Sequence, residues 1–273
     1  MNSSVAEIVA ERLDTMPAGE RRAAQTLVAN YPLIGLKTVA EFSQSAGISS
    51  PTILRFVARL GFQNYAEFQS ALQDELAAQL QSPLSRTATP AQASASPPLA
   101  DAVIENIRET FRHVSERQIS DIVEALAAPR AEIYLVGGRF TDPVARYMSA
   151  HMSILRPGVV HLEGQESLWH DRLADIGKRD VLIVLDIRRY QDSLLRFSEK
   201  AHKRGATVVL FTDQWLSPIA RFARHVIAGR TAVPSAWDSS ATLMVVAETV
   251  IGSLTRKLGP EGARRIKEVE ELR

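Results

Sequence analysis

The chain contains no cysteine, which excludes a disulfide framework, a thiolate zinc site and a Cys nucleophile. It also lacks any stretch approaching the roughly 18 to 20 apolar residues that a membrane span requires. Its first residues, MNSSVAEIVAERLDTM, place acids where a secretory leader needs an unbroken apolar core. Charge of either sign is not in excess: 32 Lys and Arg against 31 Asp and Glu leave a net charge of +1, with no global pull toward nucleic acid or membrane. The histidines, His113, His151, His161, His170, His202 and His225, show no spacing of a metal-binding helix. No Gly-x-Ser-x-Gly elbow and no Gly-x-x-x-x-Gly-Lys-Ser/Thr loop occurs. These absences lead us to expect a cytoplasmic protein without metal, cofactor or membrane partner.

What is present is a folded chain of 273 residues, 45% apolar and 23% charged, long enough for one large domain or two ordinary ones. One segment breaks the pattern. QSPLSRTATPAQASASPP is rich in Ser, Ala, Thr and Pro, holds one charge (Arg86), and has no periodic apolar positions. Such a composition buries too little surface to offset the entropy of ordering, so it reads as a linker over 81–99. It divides the chain into an N-terminal unit, 1–80, and a C-terminal unit, 100–273.

The first unit reads as all helix, with segments near 4–14, 20–30, 38–45, 50–60 and 64–80. Ser4 with Glu7, Thr38 with Glu41 and Asn64 with Glu67 have the spacing of capping boxes. In the second unit, short apolar runs at 131–138, 158–162, 180–186, 206–213 and 224–229 alternate with helical patterns near 142–155, 191–204 and 217–223. Flanking helices are expected at 101–127 and 237–257, followed by a charged helical tail from Pro260. Alternation of this kind implies a parallel sheet covered by helices on both faces.

The stretch TVAEFSQSAGISSPTILRFVARLGF has the local chemistry of a helix-turn-helix. Ser43 is a small residue for the helix crossing, and Gly47 permits a left-handed turn. Phe42, Ala46, Ile48, Ile53 and Phe56 supply the packing, Ser50 is placed to cap the second helix, and Pro51 suits its first turn. Ser49, Ser50, Thr52, Arg55 and Arg59 fall on the opposite side, where hydroxyls meet phosphates or base edges and Arg forks onto guanine. Residues 1–80 carry six Lys and Arg against eight acids, yet no acid lies between Glu41 and Glu67. One such unit makes few phosphate contacts, so a homodimer or homotetramer on double-stranded DNA is expected.

MPAGERRAAQTLVANYP followed by TVAEFSQSAGISSPTILRFVARLGFQNYAEF resembles the N-terminal helix-turn-helix domain of the RpiR family of bacterial transcriptional regulators. The most specific part is GISSPTILRFVARLGF, similar to a recognition helix ending in Leu-Gly-Phe. The resemblance implies a C-terminal sugar isomerase (SIS) domain, which the alternating second unit is similar to, and hence a DNA operator and a small-molecule effector as partners.

In a doubly wound sheet, ligands sit beyond the carboxyl ends of the strands. Two such ends are expected to matter. In YLVGGRFTDPVARYM, Gly137 and Gly138 let backbone approach an anion ahead of a helix N-terminus. The resemblance aligns this with a Gly-x-Gly-x-Ser loop, in which Arg139 stands at the second glycine position and Thr141 at the serine. In VLIVLDIRRYQDSLLRF it places Asp186 and Arg188 where phosphosugar-binding SIS domains carry serines, Arg189 at their glycine and Gln191 at their threonine. Arg139, Arg188 and Arg189 supply guanidinium donors for an acidic ligand. Alternatively, Asp186 pairs with one of those arginines and closes the pocket. In VPSAWDSSATLMVVAETV, Ser235 and Ser239, with Asp238, resemble a Ser-rich helix start that faces the ligand, although Ser235 and Asp238 also suit a capping pair.

Catalysis would need a base near a substrate carbon, and HLEGQESLWH offers Glu163, Glu166 and His170 beyond a strand end. Satisfied surface carboxylates in a loop are the simpler explanation for them. The expectation is a regulator and no enzyme, with a sugar-phosphate isomerase carrying an accessory helical domain as the alternative.

Overall fold

The computed structural model describes residues 3–88, 98–164 and 166–272. Five helices form the first unit: α1 (Val5–Arg12), α2 (Ala18–Ala29), α3 (Val39–Ala46), α4 (Ser50–Arg59) and α5 (Tyr65–Leu80). Ser4 with Glu7 and Thr38 with Glu41 form reciprocal capping boxes, which satisfy amides that have no partner inside a helix. Asn64 caps α5 through the Glu67 amide, while the Glu67 carboxylate accepts from the Gln63 amide at 2.6 Å. Gly47 ends α3 at φ 62°, a conformation that favours glycine, and turns the chain into α4. Phe42 and Phe56 then meet edge to face at 6.3 Å within a core that includes Ile53, Val57, Phe68 and Leu72.

The expected linker is not featureless. Pro83–Ala88 forms α6, because Ser82 and Ser85 exchange hydrogen bonds at its start and Arg86 is anchored to the second unit. The stretch 89–97 lies outside the described residues.

The expected helix over 101–127 is two helices, α7 (Leu99–His113) and α8 (Glu116–Leu126). They divide at Ser115, whose hydroxyl and the Gln118 side chain form a capping box that begins a new helix. The sheet strands are β1 (Ile133–Gly137), β2 (Val159–His161), β3 (Val181–Asp186), β4 (Thr207–Asp213) and β5 (His225–Gly229). Between them run α9 (Asp142–Leu155), α10 (Glu166–Arg172) and α11 (Asp192–Lys203), and α12 (Ala241–Glu271) closes the chain. The pattern near 217–223 is only a short 3₁₀ turn, Pro218–Arg221, and α12 bends at Gly259, which has φ 48° just before Pro260.

All strand pairs are parallel, in the order β2-β1-β3-β4-β5. Alternate residues of β1 face opposite ways. Ile133 and Leu135 pack with α8, α9 and α12, while Tyr134 and Val136 pack with Trp169 of α10 and Phe197 of α11. Helices thus cover both faces of the sheet. The chain leaves β1 toward β2 on one side and returns to β3 on the other, so the strand order reverses between the C-terminal ends of β1 and β3. That crevice is where a doubly wound sheet receives a ligand.

The helical unit docks on the sheet unit through α1 and α2, which meet α7 and the Pro218–Arg221 turn. Glu7 accepts two hydrogen bonds from the Arg230 guanidinium, at 2.8 and 2.9 Å, across this boundary. No helix among the described residues is long and apolar enough to cross a membrane.

Candidate functional site

Two surfaces carry the side chains singled out above. The first is the outer face of α4. Ile53, Phe56 and Val57 are buried, whereas Ser49, Leu54, Arg55, Ala58 and Arg59 are exposed. Ser49 and Thr52 hydroxyls lie 2.9 Å apart, and Arg55 Nη2 donates to Thr52 Oγ1 at 3.1 Å. Arg55 therefore stands on an open helix face beside two hydroxyls, the arrangement a duplex groove accepts.

Two of the five expected residues are placed otherwise. Ser49, not Ser50, is the N-cap of α4; Ser50 Oγ turns inward to within 3.2 Å of Ser43 Oγ at the helix crossing. Arg59 forms an ion pair with Glu20 of α2, and its carbonyl accepts from Arg12. The window from Glu41 to Glu67 is free of acids in sequence but not in space, because α2 brings Glu20 beside it. Thr52 is half-buried against the start of α2; a methyl group added at Gly19 would lie 3.1 Å from its Cγ2.

The second surface is the crevice between β1 and β3. The loop after β1 is tight: a Cβ on Gly137 would come within 2.4 Å of the Asp142 backbone. Thr141, fully buried, donates its hydroxyl to the Leu185 carbonyl at 2.6 Å and accepts from the Gly138 amide at 2.9 Å. The Thr141 and Asp142 amides both donate to the Gly138 carbonyl. The loop holds itself in place, so the Thr141 hydroxyl and the Gly138 amide are engaged in it and not extended toward a ligand. Arg139 is exposed and lies 5.3 Å over the Phe140 ring.

The loop after β3 is built differently from the expectation of an arginine-paired Asp186. Asp186 is 1% exposed and accepts a 2.6 Å hydrogen bond from Ser217. Burial pushes its carboxyl up to about 7, with the neighbouring Asp213 acting in the same direction. Asp213 accepts from the Tyr190 hydroxyl at 2.6 Å, the Arg188 amide at 2.7 Å and the Trp215 amide at 3.1 Å. Burial raises Asp213 to about 6 despite these donors. Tyr190 is pushed well above its usual range, first by burial and then by Asp213.

Arg188 instead reaches Asp238, at 2.6 Å from Nε, and donates Nη1 to the Ala78 carbonyl of α5 at 2.6 Å. Its guanidinium lies 4.3 Å from the centre of the Trp215 ring. Asp238 is not a capping partner of Ser235: Ser235 Oγ accepts from the Trp237 amide, and Ser239 Oγ accepts from the Ala241 amide at 3.2 Å. Arg189 is exposed with φ 57°, so an arginine keeps the left-handed backbone of the position that the resemblance assigns to glycine.

Two adjoining cavities open here. One of about 200 Å³ is lined by Gly138, Arg139, Thr141, Asp186 and Gln191, and one of about 360 Å³ by Arg86, Pro83, Trp237 and Asp238; Phe140, Ile187, Arg188 and Arg189 border both. Tyr190, Asp213 and Ser217 were not singled out in the sequence, and Arg86 was noted only as the one charge of its segment. The legible signals were a lone arginine in an otherwise uncharged segment and an acid ending a buried apolar strand.

The isomerase cluster does not converge on a base. Glu163 lies 3.5 Å from Arg146 and 3.2 Å from His161, while Glu166 lies 3.3 Å from Arg196. His170 Nδ1 is 3.0 Å from the Glu166 carbonyl. Each is tied up in its own surface contact on or beside α10. Among the described residues no group of three or more His, Asp or Glu is placed to hold a metal ion.

Comparison with known proteins places the two units. Residues 3–79 match the helix-turn-helix domain of the rpiR family, and residues 126–252 match the SIS domain. The chain thus carries a helix-turn-helix of the rpiR family followed by a SIS domain. An HTH-type transcriptional regulator of Haemophilus influenzae is 25% identical over 219 residues, covering 78% of this chain and 75% of that protein. A bifunctional protein glk of Burkholderia orbicola is 27% identical over 230 residues, and this chain spans only 34% of its length. Among solved structures, the sugar isomerase domain of an RpiR transcription factor from Sphaerobacter thermophilus superposes with TM-score 0.59 at 23% identity, covering 63% of this chain and 96% of that one. Vibrio vulnificus NanR, solved with ManNAc-6P, covers 97% of both chains with TM-score 0.56 at 16% identity. The likeness to these two structures concerns the fold.

Proposed function

We propose that this chain is a DNA-binding transcriptional regulator whose SIS domain senses an acidic small molecule and performs no catalysis on it. The observation that carries the reading is α4. Its apolar side is buried on α2 and α3, while Arg55, Ser49 and Thr52 form an outer face that the sheet unit leaves open. NanR, which shares the fold of the whole chain, is complexed with a sugar phosphate, and that is the first effector class to test. The arginines around the β1–β3 crevice suit any such anion, and the separate ion pairs of Glu163 and Glu166 speak against an isomerase base.

Two recognition helices would double the phosphate contacts, so the chain acts on DNA as a homodimer or a higher homo-oligomer. Arg55→Ala should weaken operator binding by about 1–3 kcal/mol if the side chain reads a base. A fluorescence-anisotropy titration at fixed salt measures it, and unchanged affinity would remove α4 from the interface.

A further inference from the structure

The anion end of the larger cavity is already filled, by the chain itself. Asp238 Oδ1 accepts from Arg86 Nη1 at 3.0 Å, and its Oδ2 pairs with Arg188 Nε at 2.6 Å. All three side chains are 13% exposed or less. A carboxylate with one oxygen on each of two guanidinium groups is the geometry in which a ligand carboxylate or phosphate would be held. The three residues come from separate parts of the chain: α6, the loop after β3, and the segment before α12. Arg86 also donates to the Val233 carbonyl at 3.0 Å, which fixes its guanidinium independently of Asp238. Arg188 lies over Trp215 and donates to the Ala78 carbonyl, so the guanidinium that meets Asp238 also touches α5 and a shift of it reaches that helix.

Removing the carboxylate alone would leave two largely buried cations facing each other. Exchanging it for another anion would not. Beside this pair the cavity has an apolar wall: Phe140 and Trp237 are each 57% exposed, although their rings lie only 5.8 Å apart. A ligand body with an apolar face would cover both.

We propose that Asp238 is an internal stand-in for the effector's anionic group. An anion, carboxylate or phosphate, on a body with an apolar face displaces Asp238 from Arg86 and Arg188 and packs against Phe140 and Trp237. Because Arg188 also holds the last turn of α5, the exchange is felt in the helical unit. The proposal rests on the reading that the β1–β3 corner is the effector site, and it adds the ligand class and the group the ligand replaces.

The test is isothermal titration of the full-length protein with inorganic phosphate, phenyl phosphate, benzoate and glucose 6-phosphate. Asp238→Asn keeps the shape of the side chain and removes the competing charge, so it should bind phosphate at least tenfold more tightly than the wild type. Adding Arg86→Gln should cancel that gain. Benzoate against phenyl phosphate distinguishes a carboxylate from a phosphate effector, and glucose 6-phosphate reports whether a sugar body suffices. Trp237→Ala should lose the preference for phenyl phosphate over inorganic phosphate. In the wild type, the better-binding ligand should speed hydrogen exchange in the last turn of α5, a readout that needs no variant to fold. Overturning results are an Asp238→Asn protein with an intact cooperative melt and unchanged phosphate affinity, a gain that survives Arg86→Gln, or exchange in α5 that saturating ligand leaves unaltered. Operator binding by the same wild-type sample is scored separately: its absence would sink the regulator reading while leaving the anion exchange standing.

Discussion

Arg189 holds φ 57°, a backbone region that costs a residue with a Cβ about 1–2 kcal/mol. Glycine would relieve this but returns freedom to the unfolded chain, so Arg189→Gly should stabilise the protein by roughly 0.5–1 kcal/mol, read as a shift of the urea midpoint. The resemblance placed Arg189 at a glycine of the phosphosugar-binding loop; the partner of Arg188 was not legible. Asp238 lies 50 positions downstream, and its pairing depends on which segment folds over the strand ends. Asp186 was read as a candidate partner for those arginines, but the turn after β4 brings Ser217 to it first. The two buried acids also set a pH dependence. Both Asp186, at about 7, and Asp213, at about 6, bind protons more tightly when folded than the ordinary carboxyl of the unfolded chain. The folded state therefore holds more protons between the unfolded value near 4 and about 7, and the contribution of these groups to stability is present at low pH and is lost as pH rises through that window. Asp186→Asn should narrow the gap in melting temperature between pH 5 and pH 8 relative to the wild type, mainly by gaining at pH 8. An unaltered gap would show that Asp186 does not titrate there.

Helix boundaries follow local chemistry closely where a side chain can close the end on itself. Ser4 with Glu7 and Thr38 with Glu41 were legible for that reason. The break at Ser115 has the same chemistry, yet the apolar periodicity runs through Val114 and conceals it. α10 is only seven residues long, too short for a helical period to emerge. The helix-turn-helix was the most readable element because glycine, small residue and apolar positions all constrain one geometry. Gly47 tests that geometry. A Cβ there would meet nothing within 4 Å, so Gly47→Ala carries only the backbone penalty of φ 62°. Net of the stiffer unfolded chain, about 1 kcal/mol of stability should be lost. Operator affinity should fall further than the stability change alone explains, because the same turn sets the angle between α3 and α4. Equilibrium unfolding and DNA titration on one preparation separate the two effects, and equal, small changes in both would mean that the turn only terminates α3.

At the scale of the whole molecule, the units are joined by contacts that no local pattern announces. Glu7 and Arg230 are separated by 223 positions, and each side chain is 8% exposed or less. Glu7 has a second duty, since its carboxylate also accepts from the Ser4 amide at 2.7 Å in the capping box of α1. Its sequence signature as a capping residue was complete without the arginine, and that is why the docking contact stayed hidden. Burial decides the size of the effect. An exposed pair would contribute little, but removing one partner of a buried pair leaves a charge without compensation and typically costs about 3–5 kcal/mol. Arg230→Gln should therefore loosen the helical unit from the sheet unit, and calorimetry should resolve two transitions in the variant where a single one is expected of the wild type. Glu109, 4.0 Å from the Arg230 guanidinium, is too distant from Glu7's role to replace it. The double variant Glu7→Gln with Arg230→Gln should cost less than the sum of the single variants, because neither charge is then stranded. A single transition at the wild-type temperature in Arg230→Gln would mean that the Glu7–Arg230 pair does not fasten the units and that the packing of α1 and α2 carries the docking.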